Sequence, residues 1–377
     1  VRINEDGSLG ELNDVTVPSI EHKMGINGSA TCVMQFGDED GSIGEVVGGV
    51  EHQGIRQMFH MMNAARIGVG IQGLAVASAA YLSALEYARE RKQGASIKQF
   101  KDATAPRVPI IEHPNIRRDL LAMKARVEGI RALAMKLSSH GDRLAAIQGK
   151  DDESEAYHKG QIDLLTPLVK AHGTDAAFEV SSRAAIQVYG GHGYLQDHPV
   201  EQYCRDAKIF QIYEGTNFIQ SMDLVGRKLG QGGGANTQAF LTDIQTFITQ
   251  NKDTPELEQG IGHLQAAHEA VAASVMQFIG WFKGGKLEHI PLAAEDFLTI
   301  MSDLAVGWLL LDQAAIALKK LPETSETHPD HAFYTGKKFA AQYFANSVLT
   351  TLPSRTRCLG AIDTIPVEIP DEGFATI

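Results

Sequence analysis

The pattern of apolar and polar residues divides the chain into a short β-rich start and a long helical remainder. Before Gly54, short apolar and β-branched runs at 31–36 and 43–47 are separated by Gly and Asp residues. Beyond Gly54, apolar residues recur every three or four positions, which is typical of helices that bury one face. The pattern predicts a mainly α protein, and a β segment this short cannot form an independent domain.

The helical periodicity predicts two groups of helices separated by a glycine-rich hinge at 230–234. The first group is predicted at 54–94, 116–143, 157–172 and 175–189, with a break or bend near Pro167, and four helices of this kind form a bundle. The second group is predicted at 240–250, 257–282, 295–318 and 334–352, with Trp281, Trp308 and Phe339 as core anchors. We therefore expect domains at 1–53, 54–229 and 235–377.

Composition narrows the class of protein. Of 377 residues, 44% are hydrophobic and 21% charged, which is ordinary for a globular protein, and the net charge of -12 argues against a broad nucleic-acid-binding surface. The three cysteines are too far apart to predict a metal site or a redox pair. No apolar stretch reaches about eighteen residues without a charge or a break, and no basic-then-apolar signal pattern opens the chain. We expect no metal, no membrane insertion and a cytoplasmic location.

The segment 211–217 carries the clearest candidate chemistry, because it places the carboxylate of Glu214 in an apolar turn before a helix. Tyr213 precedes it, Gly215 permits close backbone approach, and Thr216 is suited to cap the helix. Partial removal of water makes a carboxylate a better proton acceptor, so Glu214 is a candidate general base. The alternative is that Glu214 is structural, since a negative charge is favourable near a helix N-terminus.

Three preceding segments extend this motif. They read Gln-Val-Tyr-Gly-Gly-His-Gly-Tyr at 187–194, Pro-Val-Glu at 199–201 and Arg-Asp-Ala-Lys at 205–208. Their order and spacing, together with 211–217, resemble the C-terminal signature of the acyl-CoA dehydrogenases. The resemblance implies the C-terminal four-helix bundle of that family, preceded by the end of its middle β-domain and followed by a second helical domain.

The resemblance also implies the reaction and its residues. Glu214 would remove the α-proton of an acyl-CoA thioester while the β-hydrogen leaves as hydride to N5 of the flavin of FAD. The substrate-side candidates are Arg66, Tyr213 and Gly215. The flavin-side candidates are Arg91, Gln187, Gly190, Gly191, Thr216 and Asn217. Two simpler interpretations stay open, in which Arg66 is a partly buried structural arginine and Gly190 is only a left-handed helix cap.

The chain departs from the family pattern at two places. Gln93 stands where an aromatic residue usually precedes the glycine, here Gly94, so the corresponding aromatic contact is not expected. Pro114 replaces a glutamine after His113, and we leave His113 out of the predicted site.

Partners follow from the same resemblance. Electrons would leave through an electron-transfer flavoprotein, and the chain would form a homodimer or a dimer of dimers, because half of each flavin site comes from a neighbour. The second helical domain resembles that of longer bacterial members, including 3-methylmercaptopropionyl-CoA dehydrogenases. Measured against the family, the N-terminal helical domain and half of the β-domain are missing, and we expect this chain alone to bind flavin poorly.

The acyl chain stays open among a short thioether, a long straight chain and an aromatic group. Two other classes of function compete. A fold relative that acts as a nucleic-acid-binding alkylation-response flavoprotein is disfavoured by the acidic composition. The other is a purely structural helical unit for oligomerisation, which does not explain the intact Glu214 turn.

Overall fold

The computed structural model of the protein describes residues 3–39 and 41–376. Its contacts divide the chain into two compact units, Val1–Ala64 and Ala65–Ile377. The first unit contains the β segment and the second contains the helices that carry the candidate site.

The first unit holds a two-stranded antiparallel sheet formed by β1 (Val15–Ile20) and β2 (Cys32–Phe36). Its register shifts between Thr16 and Ser19, next to Pro18, which has no N–H to donate to the ladder. The strand predicted at 31–36 is confirmed, whereas the run at 43–47 forms no strand. Residues 43–47 therefore stay outside the sheet.

The first group of helices consists of three long and three short elements. They are α1 (Gly54–Glu90), α2 (Pro114–Ile147), α3 (Asp152–Phe178), α4 (Ile186–Tyr189), α5 (Val200–Phe210) and α6 (Asn217–Asp223). π-helical turns at Glu179–Ala185 and Leu224–Lys228 follow α3 and α6. The helical bundle expected from the resemblance is confirmed.

One predicted boundary is wrong, because the helices predicted at 157–172 and 175–189 form one continuous helical run from α3 through the π turn to α4. Gly173 lies inside this run, where α1 crosses closely: a Cβ added to Gly73 would lie 2.5 Å from the Gly173 carbonyl oxygen. Gly173 therefore serves helix packing instead of ending a helix, and Pro167 is also accommodated inside α3.

The second group of helices packs around one long central helix. It comprises α7 (Ala235–Asn251), α8 (Glu258–Lys283), α9 (His289–Lys320), α10 (Pro329–Ser347), α11 (Leu352–Gly360) and α12 (Ile365–Glu368). Trp281 and Trp308 are buried in the core as predicted. Phe339 was predicted to be buried and is 53% exposed, because α10 turns Ala340, Ala341 and Phe344 toward the core instead.

A single hydrophobic core joins the two groups of helices within the second unit. It includes Leu133 and Leu168 from the first group and Phe240, Phe297 and Leu304 from the second. The predicted hinge is a short 3₁₀ segment, Gln231–Gly234, in which Gly232 and Gly233 have φ of 62° and 69°. Left-handed glycines allow the chain to reverse between the two groups.

Two helices of the described chain are long and apolar enough to cross a membrane by length and composition, Gly54–Glu90 and His289–Glu323. In the second of them, 83% of the most apolar window is buried inside the protein, as in the central helix of a globular core.

Candidate active site

The segment 211–217 folds into a closed turn with Glu214 at its centre. The backbone N–H of Asn217 donates to the carbonyl oxygen of Gln211 at 3.0 Å, so the two ends of the segment meet. Glu214 has a φ of 55° and Gly215 a φ of 83°. Glycine adopts this left-handed conformation freely, but for a residue with a side chain it costs about 1–2 kcal/mol of conformational energy. The surroundings of the turn must therefore hold Glu214 in place.

The C-terminal side of the turn is fixed by the start of α6. The Thr216 hydroxyl accepts a hydrogen bond from the Ile219 N–H at 3.2 Å, which is the predicted cap. A Cβ added to Gly215 would lie 2.9 Å from Nε2 of Gln220 and 3.6 Å from Nη2 of Arg66. Gly215 is thus required both by its φ and by the side chains packed behind the turn.

Both ends of the turn dock onto α3. The carboxylate of Asp175 accepts from the Gln211 side chain at 2.6 Å and from the Asn217 side chain at 2.7 Å. The Asn217 amide oxygen accepts from the Lys170 ammonium at 2.8 Å, and its NH₂ group also reaches the Thr174 hydroxyl at 3.1 Å. The side chain of Asn217 is therefore directed into the bundle, where α3 fills its hydrogen-bonding capacity.

Glu214 itself is half-buried, and among the described residues no hydrogen-bond donor reaches its carboxylate. Its neighbours Ile212, Phe218 and Ile219 are 49%, 40% and 47% exposed, so the carboxylate lies on a partly apolar surface. Such a carboxylate is available to a ligand, and apolar neighbours limit its access to water.

Tyr213 lies beside the carboxylate and is half-buried. Its hydroxyl donates to the amide oxygen of Gln72 on α1, and its ring stacks on Phe210 at a centroid distance of 6.0 Å. Burial, together with the nearby charge of Glu214, raises the pKa of Tyr213. The phenol therefore stays protonated and orients the turn against α1.

Arg66 on α1 is 4% exposed and lies behind the turn. Its Nη1 lies 3.5 Å from Oδ2 of Asp223, whose other oxygen accepts from Nε of Arg227 at 2.6 Å. A buried guanidinium with a carboxylate partner supports the structural interpretation of Arg66 as much as a substrate contact.

Four other candidates line a second feature, a cleft of about 610 Å³ formed by the end of α1, the start of α2 and α4. Arg91 and Gln187 contribute side chains, and Gly190 and Gly191 contribute backbone. A Cβ added to either glycine would meet nothing within 4 Å, and Gly190 has a φ of 60°. The glycine backbone is thus open to a ligand, next to an exposed guanidinium.

The walls of the cleft are set by aromatic contacts that the sequence analysis did not find. Tyr87 and Tyr189 stack at 4.1 Å, and the Tyr87 hydroxyl lies 2.9 Å from Nδ1 of His192. His113, which was left out of the predicted site, lines the same cleft and lies 2.7 Å from the Gln93 carbonyl oxygen through its Nε2. The available signal was its position, directly before the proline that begins α2.

The structure therefore divides the predicted site residues into two groups. Arg91, Gln187, Gly190 and Gly191 lie together in the cleft, whereas Tyr213, Glu214, Gly215, Thr216 and Asn217 form the turn with Arg66 behind it. Over residues 3–39 and 41–376, no three His, Cys, Asp or Glu side chains are grouped to hold a metal ion.

Comparison with known families gives two matches. The family described as "Acyl-CoA dehydrogenase, C-terminal domain" matches residues 52–229, and "Acetyl-CoA dehydrogenase C-terminal like" matches residues 240–370. Together they cover most of the helical part of the chain.

Similar proteins agree with these matches. A butyryl-CoA dehydrogenase of Syntrophomonas wolfei is 36% identical over 376 residues, which are 99% of this chain and 60% of the relative. A 3-methylmercaptopropionyl-CoA dehydrogenase of Ruegeria pomeroyi is 36% identical over 92% of this chain and 56% of its own length. This chain therefore spans only part of the length of these relatives.

A solved structure shares the fold. An acyl-CoA dehydrogenase of Bacillus anthracis, crystallised with FAD, superposes with a TM-score of 0.69 at 19% identity. The superposition covers 95% of this chain and 58% of that one.

Proposed function

The chain belongs to the acyl-CoA dehydrogenase family, and from that premise we propose that the protein catalyses the FAD-dependent α,β-dehydrogenation of an acyl-CoA thioester. The observation that supports this most is the Glu214 turn. It presents a half-buried carboxylate without a donor from the described residues, on a backbone held by contacts to α1 and α3. A general base needs this combination of fixed position and available oxygen.

Glu214 is the residue that accepts the α-proton of the thioester. Loss of this proton places negative charge on the thioester oxygen, which needs fixed donors. The backbone N–H groups of Glu214 and Gly215 donate to no described group, so they are available for this charge. Tyr213 and Gly215 shape the substrate side of the turn, and Arg66 supports it from behind.

The residues of the cleft fit the anionic part of FAD. A guanidinium suits a pyrophosphate, and the open backbone at Gly190 and Gly191 permits close approach of a bulky anion. Arg91 and Gln187 would hold that part of the cofactor, whereas Thr216 and Asn217 serve it by fixing the turn. When bound, FAD supplies the acceptor for the β-hydrogen, which leaves as hydride.

Within this proposal, the butyryl- and 3-methylmercaptopropionyl-CoA dehydrogenases named above favour a short acyl-CoA thioester as the substrate, and long straight-chain and aromatic thioesters are the alternatives. An electron-transfer flavoprotein would reoxidise the cofactor, and a second copy of the chain would complete each flavin site in a dimer or a dimer of dimers. The net charge of -12 favours this enzyme over a nucleic-acid-binding relative.

The same proposal includes the organisation of the chain and its location. Residues 1–53 are assigned to the end of a β-domain, 54–229 to the catalytic bundle and 235–377 to an added helical domain. The left-handed glycines before α7 support the last boundary. The protein is assigned to the cytoplasm.

A panel of acyl-CoA thioesters tests this function in the full-length protein with an artificial electron acceptor. The panel contains butyryl-, 3-methylmercaptopropionyl-, palmitoyl- and benzylsuccinyl-CoA, and we expect the two short thioesters to be oxidised with the highest kcat/KM. If the FAD-loaded protein oxidises none of them, the dehydrogenase assignment is wrong. Salt-sensitive retention of DNA would then favour the nucleic-acid-binding relative.

A further inference from the structure

Lys170 is a buried cation that the proposed mechanism does not use. It lies in α3 and its side chain is fully buried, with 0% exposure. A buried ammonium costs several kcal/mol unless hydrogen bonds and opposite charges compensate for the lost water. The contacts of the Lys170 ammonium therefore show what compensates for this cost.

Those contacts lead to the Glu214 turn. The one hydrogen bond that the Lys170 ammonium makes to a described residue goes to the Asn217 side-chain oxygen, at 2.8 Å. Asn217 and Gln211 are the two residues whose backbones close the turn, and Asp175 binds both of their side chains. Asp175 therefore holds both ends of the turn, and Lys170 holds one of them. These ends, Gln211 and Asn217, lie three residues before and three residues after Glu214.

Charges around Lys170 link it to the catalytic carboxylate. Burial lowers the pKa of Lys170 to about 8, and the positive charge of Arg66 on α1 also lowers it. Asp175 on α3 and Glu214 in the turn act in the opposite direction and raise the pKa. The Lys170 ammonium is therefore close enough to the Glu214 carboxylate for the charge of one to act on the other.

We propose that Lys170 is a positioning residue for Glu214: the ammonium of Lys170 fixes the turn through its hydrogen bond to Asn217, within reach of the charge of Glu214. The role rests on the proposed function, because the position of Glu214 matters for catalysis only if Glu214 is the base. It accounts for a buried cation placed next to the motif, and for a glutamate held at a left-handed φ. A misplacement of the base by about 1 Å lowers catalysis by up to about 100-fold.

The charge link is tested without any turnover. Carbon-13 labelling of the lysine side chains allows NMR to follow the Cε of Lys170 as pH is varied. In the unaltered protein we expect a midpoint near the value of about 8. Asp175→Asn is the positive control and must lower the midpoint, since Asp175 raises the pKa of Lys170 more than Glu214 does. We expect Glu214→Gln to lower it as well, and a midpoint that moves with Asp175→Asn alone overturns the proposal.

The positioning role is tested by kinetics in the full-length FAD enzyme. Lys170→Met keeps an unbranched side chain without the ammonium, and we expect kcat to fall by about 10- to 100-fold with KM for the thioester within about threefold. Lys228→Met is the matched control, because Lys228 is also largely buried and pairs with a carboxylate, Asp163, at 3.1 Å. We expect its kcat to stay within about twofold.

The two tests separate the possible failures. If the variants at Lys170 and Lys228 lose kcat equally, loss of any buried cation explains the effect and the positioning role is wrong. If the unaltered enzyme oxidises no thioester, the proposed function fails, while the NMR titration still decides whether Lys170 and Glu214 are linked. If Lys170→Met does not fold, the titration alone decides.

Discussion

The Glu214 turn and the glycine cleft differ in how completely the chain itself organises them. The turn is closed by its own backbone and docked onto α3 by Gln211 and Asn217. The cleft has an exposed arginine and two glycines at which an added Cβ would meet nothing within 4 Å. The turn is thus organised before any ligand binds, whereas the cleft offers groups whose partners come from a ligand.

This difference predicts that substitutions in the turn affect stability and chemistry together, whereas those in the cleft affect binding alone. The largest effect is expected for Glu214→Gln in the full-length enzyme. Removal of a general base costs about 100- to 10,000-fold in rate. Steady-state kinetics and the flavin absorbance of the purified protein measure it, and we expect FAD content to stay normal. Activity near that of the unaltered enzyme would exclude Glu214 as the base.

Gly215→Ala compares the turn directly with the cleft. The added Cβ lies 2.9 Å from Nε2 of Gln220 at a φ of 83°, so we expect a loss of about 1–3 kcal/mol in the free energy of unfolding. Gly191→Ala is the control in the cleft, where the Cβ meets nothing within 4 Å. We expect it to change the free energy of unfolding by less than about 0.5 kcal/mol but to weaken FAD binding. Urea titration measures the free energy of unfolding of both variants, and flavin retention measures their FAD binding. Equal losses of stability in Gly215→Ala and Gly191→Ala would contradict the difference between the turn and the cleft.

The buried cation next to the turn predicts a pH dependence of the free energy of unfolding. The pKa of Lys170 is about 8 in the folded protein and near its ordinary value of 10.5 when unfolded. Between these values the unfolded chain binds more protons, so the free energy of unfolding rises with pH. The slope due to one proton is at most about 1.4 kcal/mol per pH unit. Urea titrations from pH 7 to 10 should show this rise in the unaltered protein relative to Lys170→Met. Parallel curves would contradict it.

Arg91→Ala tests the cleft. We expect about a tenfold weaker retention of FAD with an unchanged free energy of unfolding, because Arg91 is exposed and its loss removes a charge-assisted contact. Dialysis followed by flavin absorbance measures this. Arg107→Ala, in the exposed loop before α2, is the matched control. Normal retention in Arg91→Ala would remove Arg91 from the site.

The smallest effect is expected for Thr216→Ala. The substitution removes the cap of α6 and costs about 0.5–2 kcal/mol in the free energy of unfolding. Thr216→Ser keeps the hydroxyl and should restore most of this loss. If Ser and Ala behave alike, the cap contributes nothing measurable.

Local motifs were the part of the site that sequence could predict. The cap at Thr216 and the required glycine at 215 follow from residue types within a few positions, and both are present. The cleft residues Gln187, Gly190 and Gly191 were found through one contiguous motif. His113 and Tyr87 were missed, because their place in the cleft depends on α1 and α2 meeting α4 far along the chain.

The failures of the fold prediction have the same origin. Gly173 has the character of a helix end in the sequence, yet it remains helical because α1 needs its missing side chain for a close crossing. Phe339 has the character of a core residue, yet neighbouring Ala340 and Ala341 face the core. In both cases packing between helices overrides the local preference.

Periodicity by itself determined the helical class of this protein and its glycine hinge, because these depend on short-range spacing. The residues of the candidate site were predicted from the resemblance of a few contiguous motifs to a known family. The tertiary structure alone decided that Asn217 is directed into the bundle, that Lys170 lies beneath the turn, and that Arg91 shares a cleft with Gly190. A sequence pattern cannot contain these facts, since each arises where helices distant in the chain come within hydrogen-bonding or van der Waals distance.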